Sequence, residues 1–259
     1  MTDFSVLAPT SSAIAPSTPS ANDNSCQQSA HDLWQRFYHH TAITDDMHRL
    51  LAAVMPDWQR QKLQLQHAWQ TLWVKLSQGE TPDEKSLTDW LITLFNALFD
   101  NTVATPVATV LVRGAGEPEY FAASENAPAR IEFAHGFFQS ALHEISHWCV
   151  AGKARREQND FGYWYEADGR NEATQRLFEQ VEIKPQAIEC LLSLACGRFF
   201  YVSQDNLNAD FDTTNSTFAA DVFAKASEFL YAPESLPRDA KRLLWVLLAL
   251  CQPTLYNDA

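Results

Sequence analysis

The chain has 259 residues, of which 46% are hydrophobic, and 32 acidic side chains against 19 basic ones give a formal charge of −13. This is enough apolar material for a sizeable core, which excludes both a disordered chain and a disulfide-held miniature. Glycines number only eight, and the G-x-G-x-x-G and G-x-x-x-x-G-K-[ST] patterns of phosphate-binding loops do not occur. The acidic balance argues against general nucleic-acid binding, because neutralising phosphates needs clustered Lys and Arg.

Five scattered cysteines without a C-x-x-C pair are typical of free thiols in a reducing compartment, and three of them lie in apolar runs, where burial is expected. The first residues do not combine a basic leader with an apolar core, and no apolar run is long enough to cross a membrane. We therefore expect a cytoplasmic protein with no membrane segment.

The chain begins with a segment rich in Ser, Thr, Ala, Pro and Asn, residues 1–28, which is predicted to be a disordered tail. Apolar residues at helical spacing then predict an N-terminal helical region over 29–100, with its tryptophans and phenylalanines in the core.

Strand-like alternation follows over 103–134, a helix is predicted from about 137 to 153, and a short aromatic strand is predicted at 161–165. The remaining helices are predicted at about 172–182, 185–197, 214–230 and 236–251. This order favours an α+β fold that is mostly helical with a small mixed sheet, rather than a βαβ parallel sheet.

The strongest chemical signal is the H-E-x-x-H motif formed by residues 143–147. On a helix, positions i and i+4 lie on one face about a turn apart, so His143 and His147 can share a metal ion. Gly152 is placed to end this helix. Region 101–259 is therefore predicted to be the catalytic, metal-binding domain.

Two imidazoles hold a metal poorly, so a third protein ligand is expected, together with an open coordination position for catalysis. Glu182 is preferred because it stands just ahead of Pro185, where a proline in the first turn of a helix would give the carboxylate a rigid support. The other downstream acids are Glu157, Asp160, Glu166, Asp168, Glu172, Glu179 and Glu189.

Two histidines and one carboxylate suit two chemistries. With Zn²⁺ the metal would activate water for hydrolysis and Glu144 would be the base. With Fe²⁺ the same ligands, arranged as a facial triad, leave positions for O₂ and substrate. Spacing does not choose between them, and a metal-stabilised binding module without turnover is a third hypothesis.

Several ordered blocks of the sequence resemble the elongation factor P hydroxylase family. They are FAHGF at 133–137, SALHEISHWC at 140–149, AGKARR at 151–156, DFGYWY at 160–165, VEIKPQA at 181–187 and SQDNL at 203–207, with Asp210 and Phe211 after it. The resemblance extends more loosely from about residue 86 towards the C-terminus and says nothing about the residues before it.

The resemblance implies a cytoplasmic bacterial enzyme that hydroxylates a lysine of elongation factor P already carrying a β-lysyl group. It implies a metal centre of His143, His147 and Glu182, which we expect to use Fe²⁺ with O₂ as co-substrate. It also implies a core nearer to zincin-type metal hydrolases than to the double-stranded β-helix of most iron hydroxylases. The alternative function is a zinc-dependent hydrolase or peptidase, and no nucleic-acid or membrane partner is expected.

Oxidation of a single C–H bond suits a water-poor pocket. Its walls are predicted to be Phe137, Phe138, Trp148, Tyr163 and Trp164. Tyr163 and Trp164 are also predicted to bind substrate, and Asp160 and Asp205 to receive a lysyl ammonium, although both acids also suit a helix or turn cap.

Two further residues are assigned to the catalytic site. Glu144 is predicted to be either a base or an orienting group for the metal ligands. His135 is predicted to support the ligands, with a fourth-ligand, proton-relay or purely structural role as the alternatives.

Overall fold

A computed structural model describes residues 23–78, 83–162, 169–204 and 216–252. In these ranges the helices are α1 Asp23–Tyr38, α2 Thr41–Val54, α3 Trp58–Ser77, α4 Glu84–Phe99, α5 Phe138–Arg156, α6 Glu172–Ala195, α7 Phe218–Tyr231 and α8 Arg238–Cys251. The strands are β1 Thr109–Arg113, β2 Glu119–Phe121 and β3 Ala129–Phe133. The predicted α+β class, mostly helical with a small mixed sheet, is confirmed, whereas the likeness to a zincin core stays a prediction.

The N-terminal helices share one core with the rest of the molecule. Helix α1 begins at Asp23, inside the segment predicted as a tail, and residues 1–22 lie outside the described residues. Helices α2 and α3 pack on α8, while α4 packs on β1 and α5. The aromatic residues expected in the core are there: the rings of Trp69 and Trp90 lie 4.7 Å apart and are buried. No boundary between separate cores is therefore visible near residue 100.

The sheet has the order β1-β3-β2, with β1 parallel and β2 antiparallel to β3. Helix α4 covers the outer edge of β1: the side chain of Asn96 accepts the backbone N–H of Leu111 at 2.7 Å and donates to its carbonyl at 3.3 Å. These bonds satisfy edge groups that would otherwise need another strand.

Strand β3 leads directly into α5 through a single 3₁₀ turn, Ala134–Gly136, where His135 has a φ of 54° and Gly136 a φ of 71°. At the start of α5, the backbone N–H of Phe138 donates to the Glu84 carboxylate at 2.8 Å. A carboxylate at this position stabilises the helix, because it pairs with a free N–H at the positive end of the helix dipole. The sheet and α4 thus fix where α5 begins.

Gly152 was predicted to end α5, but it only interrupts the helix, with a φ of 67° and a ψ of 179°, and helical structure then resumes as far as Arg156. The Arg156 guanidinium donates to the Trp148 carbonyl at 3.0 and 2.8 Å and stacks on the Trp148 ring. It thereby ties the last turn of α5 back to the turn before the kink. Arg156 also forms an ion pair with Asp239 of α8 at 2.6 Å, and both side chains are buried.

The two helices predicted on either side of Pro185 are one continuous helix, so that prediction is wrong. Pro185 lies inside α6, where it has no N–H to offer to the preceding turn. Packing against α5, α7 and α8 carries the helix through the proline, because burial of its apolar face outweighs one missing hydrogen bond. Glu182 therefore projects from the middle of a helix and not from a junction.

The strand predicted at 161–165 is also wrong for its first two residues, and Tyr163–Tyr165 lie outside the described residues. Phe161 and Gly162 belong to a 3₁₀ turn, Asn159–Gly162, whose side chains cover the edge of β2. Asn159 accepts the backbone N–H of Ala122 at 2.9 Å, and Asp160 accepts that of Tyr120 at 3.0 Å. Side-chain acceptors here replace the backbone ladder that a further strand would provide.

Among the described cysteines, Cys149, Cys190 and Cys196 are buried and free, as expected. Burial raises the pKa of the Cys149 and Cys190 thiols well above the usual range, which suits small inert apolar residues. In the part of the chain that the structure describes, no helix combines the length and the apolar character needed to span a bilayer.

Candidate metal centre

The two histidines of the H-E-x-x-H motif project from the same face of α5. Their Nε2 atoms are 3.0 Å apart and their ring planes are inclined by 75°. The opposite face of α5 is anchored in the core by Leu142, Ile145 and Cys149, which are buried. The helix therefore holds both imidazoles at the protein surface on a rigid support, with 30% of the His143 side chain and 23% of the His147 side chain exposed.

Glu182 of α6 completes the group of three. Its Oε1 lies 3.3 Å from the Nε2 atom of His147, and its Oε2 lies 3.8 Å from that of His143. One donor atom from each of the three residues falls within 4.8 Å of the others. The three residues predicted as metal ligands thus come together between two packed helices.

Two of the three distances between donor atoms have the values expected around a single cation. Ligand atoms held about 2.1 Å from one ion, at angles between those of an octahedron and a tetrahedron, lie about 3.0 to 3.4 Å apart. The separations of 3.0 and 3.3 Å that involve His147 fall in that range, whereas the 3.8 Å between Glu182 and His143 is longer. The donor set of two imidazoles and one carboxylate suits Fe²⁺ or Zn²⁺ and leaves further coordination positions open.

The electrostatics of the site also favour a cation. Burial tends to lower the pKa of His143, but the carboxylates of Glu189, Glu182 and Glu144 outweigh it and raise this pKa to about 10. Burial also raises the pKa of Glu144 above its ordinary value. Two imidazoles surrounded by three carboxylates have a surplus of negative charge, which a divalent ion would neutralise.

The Glu182 carboxylate is held by its neighbour one turn further along α6. Gln186 donates to Glu182 Oε2 at 3.3 Å and is itself fixed at both ends of its amide. It donates to the Ser203 carbonyl at 2.7 Å and accepts the Ser203 N–H at 3.0 Å. The segment after α6 therefore fixes the third candidate ligand indirectly through Gln186.

A second carboxylate lies behind His143. Glu189 Oε2 is 2.8 Å from the Nδ1 atom of His143, on the side of the ring away from His147. Gln139 donates to the other oxygen of Glu189 and, at 3.0 Å, to Ser193. Glu189 is buried, with 5% of its surface exposed.

Comparisons with known proteins identify the family of this chain. A family model described as elongation factor P hydroxylase matches residues 95–257, which is more than half of the chain. The chain belongs to the elongation factor P hydroxylase family. A protein of Haemophilus influenzae described as elongation factor P lysine hydroxylase is 46% identical to it over 160 residues, covering 61% of this chain and 86% of that protein.

The part that matches the hydroxylase family begins inside α4 and includes all three residues of the metal centre. Helices α1, α2 and α3 lie before the match. They nevertheless contribute to the same core, so this member of the elongation factor P hydroxylase family carries its candidate metal centre on a body that includes helices before the matched part.

The other predicted catalytic residues are less closely tied to the centre. Glu144 is half-buried beside the two histidines, which suits either of its predicted roles. His135 is exposed on the turn before α5 and does not belong to the group of converging donor atoms. A catalytic role for either residue stays a prediction.

Of the residues predicted to bind substrate, Tyr163, Trp164 and Asp205 lie outside the described residues. Asp160 is described, and one of its oxygens accepts a backbone N–H of β2. The structure thus places Asp160 at the edge of β2. This contact is neither the helix cap nor the turn cap that was its alternative, and its contact with a lysyl ammonium stays a prediction.

Two aromatic residues predicted as pocket walls are core residues. Phe138 packs on Trp69, with ring centroids 5.9 Å apart, and Trp148 packs edge-on against Phe95 and Phe99. Phe138 and Trp148 have no exposed surface, so neither can line a substrate pocket. Phe137 is 54% exposed, as a wall residue at an open site can be.

The sequence contained a signal for the residues that were missed. Along α6 a polar stripe runs through Glu182, Gln186, Glu189 and Ser193, spaced by four, three and four positions. This is one face of a continuous helix, and all four side chains are buried among apolar neighbours. Splitting the helix at Pro185 hid the stripe, because Glu182 then belonged to a different element from the other three.

Proposed function

We propose that this chain is an Fe²⁺-dependent, O₂-using hydroxylase that acts on the β-lysylated lysine of elongation factor P. The observation that carries the proposal is the convergence of His143, His147 and Glu182 in a chain of the elongation factor P hydroxylase family. The relative from Haemophilus influenzae is named an elongation factor P lysine hydroxylase, which supports lysine as the side chain that is modified.

The three protein donors would hold Fe²⁺ on one side and leave the other side open to O₂ and substrate. When bound, the iron supplies the electron transfer that lets O₂ react with an unactivated C–H bond. One oxygen atom enters the C–H bond to give C–OH. The other leaves as water, which requires two electrons and two protons from an external reductant.

The residues of the chain provide the geometry for this reaction. Helix α5 holds two ligands through its buried apolar face, and Gln186 keeps the Glu182 carboxylate turned towards them. Glu144 would exchange protons at the open side of the centre or receive an ammonium group of the substrate. Because the imidazoles are partly exposed, a side chain carried by another protein can reach the centre without opening the core.

The proposal is tested with anaerobically purified full-length protein loaded with Fe²⁺ or Zn²⁺. Each sample is incubated with elongation factor P, with or without its β-lysyl group, together with air and a reductant. We expect intact-mass measurement to show the gain of one oxygen atom only with Fe²⁺ and the β-lysylated protein. Isotopically heavy O₂ should transfer its label to the product.

Glu182→Ala should abolish the oxygen gain, whereas Glu179→Ala, on the same helix but outside the donor group, should retain it. Equal oxygen gain with unmodified elongation factor P would contradict the β-lysyl part of the proposal. Peptide cleavage by the Zn²⁺ form, lost in Glu144→Gln and accompanied by no oxygen gain with iron, would instead establish the hydrolase.

A further inference from the structure

The two histidines of the metal centre differ in what supports them from behind. The Nδ1 atom of His143 lies 2.8 Å from Glu189 Oε2. For His147, the described part of the structure contains no hydrogen-bond partner at Nδ1, and its contacts with polar groups are made through Nε2. The two imidazoles are therefore chemically unequal although they come from one motif.

The bond between Glu189 and His143 fixes which nitrogen faces the metal. A carboxylate accepts a hydrogen bond, so the proton of the neutral ring lies on Nδ1 and the lone pair lies on Nε2. Nε2 is the atom that faces His147 and Glu182. A carboxylate behind a metal-binding histidine also increases the electron donation of the ring.

Glu189 is in turn held in place on its other side. Its Oε1 accepts a hydrogen bond from the amide of Gln139, which also donates to Ser193 at 3.0 Å. Gln139 lies one turn before His143 on α5, and Ser193 lies one turn after Glu189 on α6. Both oxygens of the Glu189 carboxylate are thus engaged by residues of α5, which holds the carboxylate on the Nδ1 side of His143.

We propose that Glu189 is the positioning residue of the metal centre: held by Gln139, it accepts the Nδ1–H of His143 and makes His143 the stronger and more rigid of the two histidine ligands. This inference rests on the proposed metal centre. It goes beyond it by assigning the buried polar stripe of α6 two functions, with Glu182 as a ligand and Glu189 as the support of another ligand.

The test is metal binding by the full-length protein, with Co²⁺ and Zn²⁺ as probes and a chromophoric chelator as competitor. Glu189→Gln should weaken binding by about 10- to 100-fold, the usual effect of losing such a support. Glu189→Ala should weaken it further, because the acceptor is removed and not only its charge. Glu179→Gln is the matched control on the same helix and should bind like the wild type.

A proton resonance separates positioning from a general structural role. In the Co²⁺-loaded protein each coordinating imidazole carries an exchangeable Nδ1–H with a strongly shifted signal. The wild type should show one slowly exchanging signal, from His143, and one that exchanges rapidly with water, from His147. Glu189→Ala should lose the slow signal, and Gln139→Leu, which releases the carboxylate without removing it, should show faster exchange and weaker binding.

Wild-type affinity and a retained slow signal in Glu189→Ala would overturn the inference while leaving the metal centre intact. An equal loss of affinity in Glu179→Gln would also overturn it, because the effect would then belong to the helix. If the wild type binds neither probe, the proposed metal centre fails together with its positioning residue. Absence of hydroxylation by a protein that shows the predicted affinities would count against the proposed function alone.

Discussion

Helix α5 connects two partly buried clusters of charged groups, and their charge balance differs. At its C-terminal end, Arg156 pairs with Asp239, and on the next turn of α8 Arg242 holds Asp46 through two bonds of 2.6 and 3.0 Å. In its middle, the described partners of Glu182 and Glu189 in ion pairs are histidines alone.

The difference shows why one cluster is structural and the other is a candidate site. Each carboxylate of the first cluster has a guanidinium, so the buried charges neutralise one another and need no ligand. The second cluster combines acids with imidazoles whose Nε2 atoms face each other at 3.0 Å. A divalent cation would supply the positive charge that this arrangement lacks.

The largest effect is expected when the balanced cluster is broken. Asp239→Ala leaves the Arg156 guanidinium buried without its carboxylate, which should lower the free energy of unfolding by about 3–5 kcal/mol. Denaturant unfolding of the metal-free protein measures this loss. Glu228→Ala, which removes the partner of Lys225 in an exposed pair, should cost less than about 1 kcal/mol and serves as the control.

A loss as small in Asp239→Ala as in Glu228→Ala would mean that the first cluster is not the structural one. Conversely, folded Asp239→Ala should retain wild-type metal affinity, because none of the three donor residues contacts Asp239 in the described structure.

The next largest effect is a stabilisation of the folded protein by metal, and it concerns the second cluster, in which Glu182 and Glu189 face the two histidines. At a free Zn²⁺ concentration of one hundred times the dissociation constant, binding should stabilise the folded protein by about 2.7 kcal/mol. Glu182→Ala should abolish this gain, because the site then lacks one of its three donors, and the stability of the variant without metal gives the cost of the substitution itself. Thermal unfolding with and without metal measures both quantities, and an undiminished gain in Glu182→Ala would exclude it as a ligand.

The smallest effect is a pH dependence at the edge of the balanced cluster. The hydrogen bond from Arg242 holds the pKa of Asp46 below its ordinary value of 3.8. A lowered pKa gives a stabilisation that is present above the ordinary value and is lost as the pH falls through the folded value. Since the Asp46 side chain is 31% exposed, we expect less than about 1 kcal/mol.

Asp46→Asn should make the free energy of unfolding depend less on pH in this range. Denaturant unfolding at pH values below 5, about half a unit apart, measures this dependence as a curve. The neighbouring exposed acid offers a control, and Asp45→Asn should leave the curve unchanged. A curve that responds equally to both substitutions would show that general charge repulsion, and not the Arg242 pair, governs acid unfolding.

The sequence predicted correctly those features that depend on the residue spacing within a single helix or strand. The period of the H-E-x-x-H motif is local, so the helix and the shared face of the two histidines followed from spacing alone. The sheet strands and most helices followed from apolar periodicity for the same reason. Glu182 does meet the histidines, although the helix junction that supported its choice does not exist, and its role as a metal ligand stays a prediction.

Prediction failed where a residue's environment is set by distant parts of the chain. Whether Pro185 ends a helix depends on what packs around it, and here α5, α7 and α8 keep α6 continuous. Phe138 and Trp148 lie next to the motif in sequence but turn into a core built with Trp69, Phe95 and Phe99. From the sequence, Asp160 was predicted to bind substrate. In the structure, one of its oxygens accepts a backbone N–H of β2, a contact that only the tertiary fold creates.

By itself, the sequence determined the fold class, the metal-binding motif and a resemblance that the comparisons confirm at the level of the family. Only the tertiary structure decided which acids face which atoms of the histidines. Glu182 and Glu189 are seven residues apart on one helix, yet one meets the Nε2 side of the imidazoles and the other the Nδ1 side of His143. Helical periodicity places both on one face, but the docking of α6 against α5 sets the distances, because these depend on the packing of two helices and not on the repeat of either.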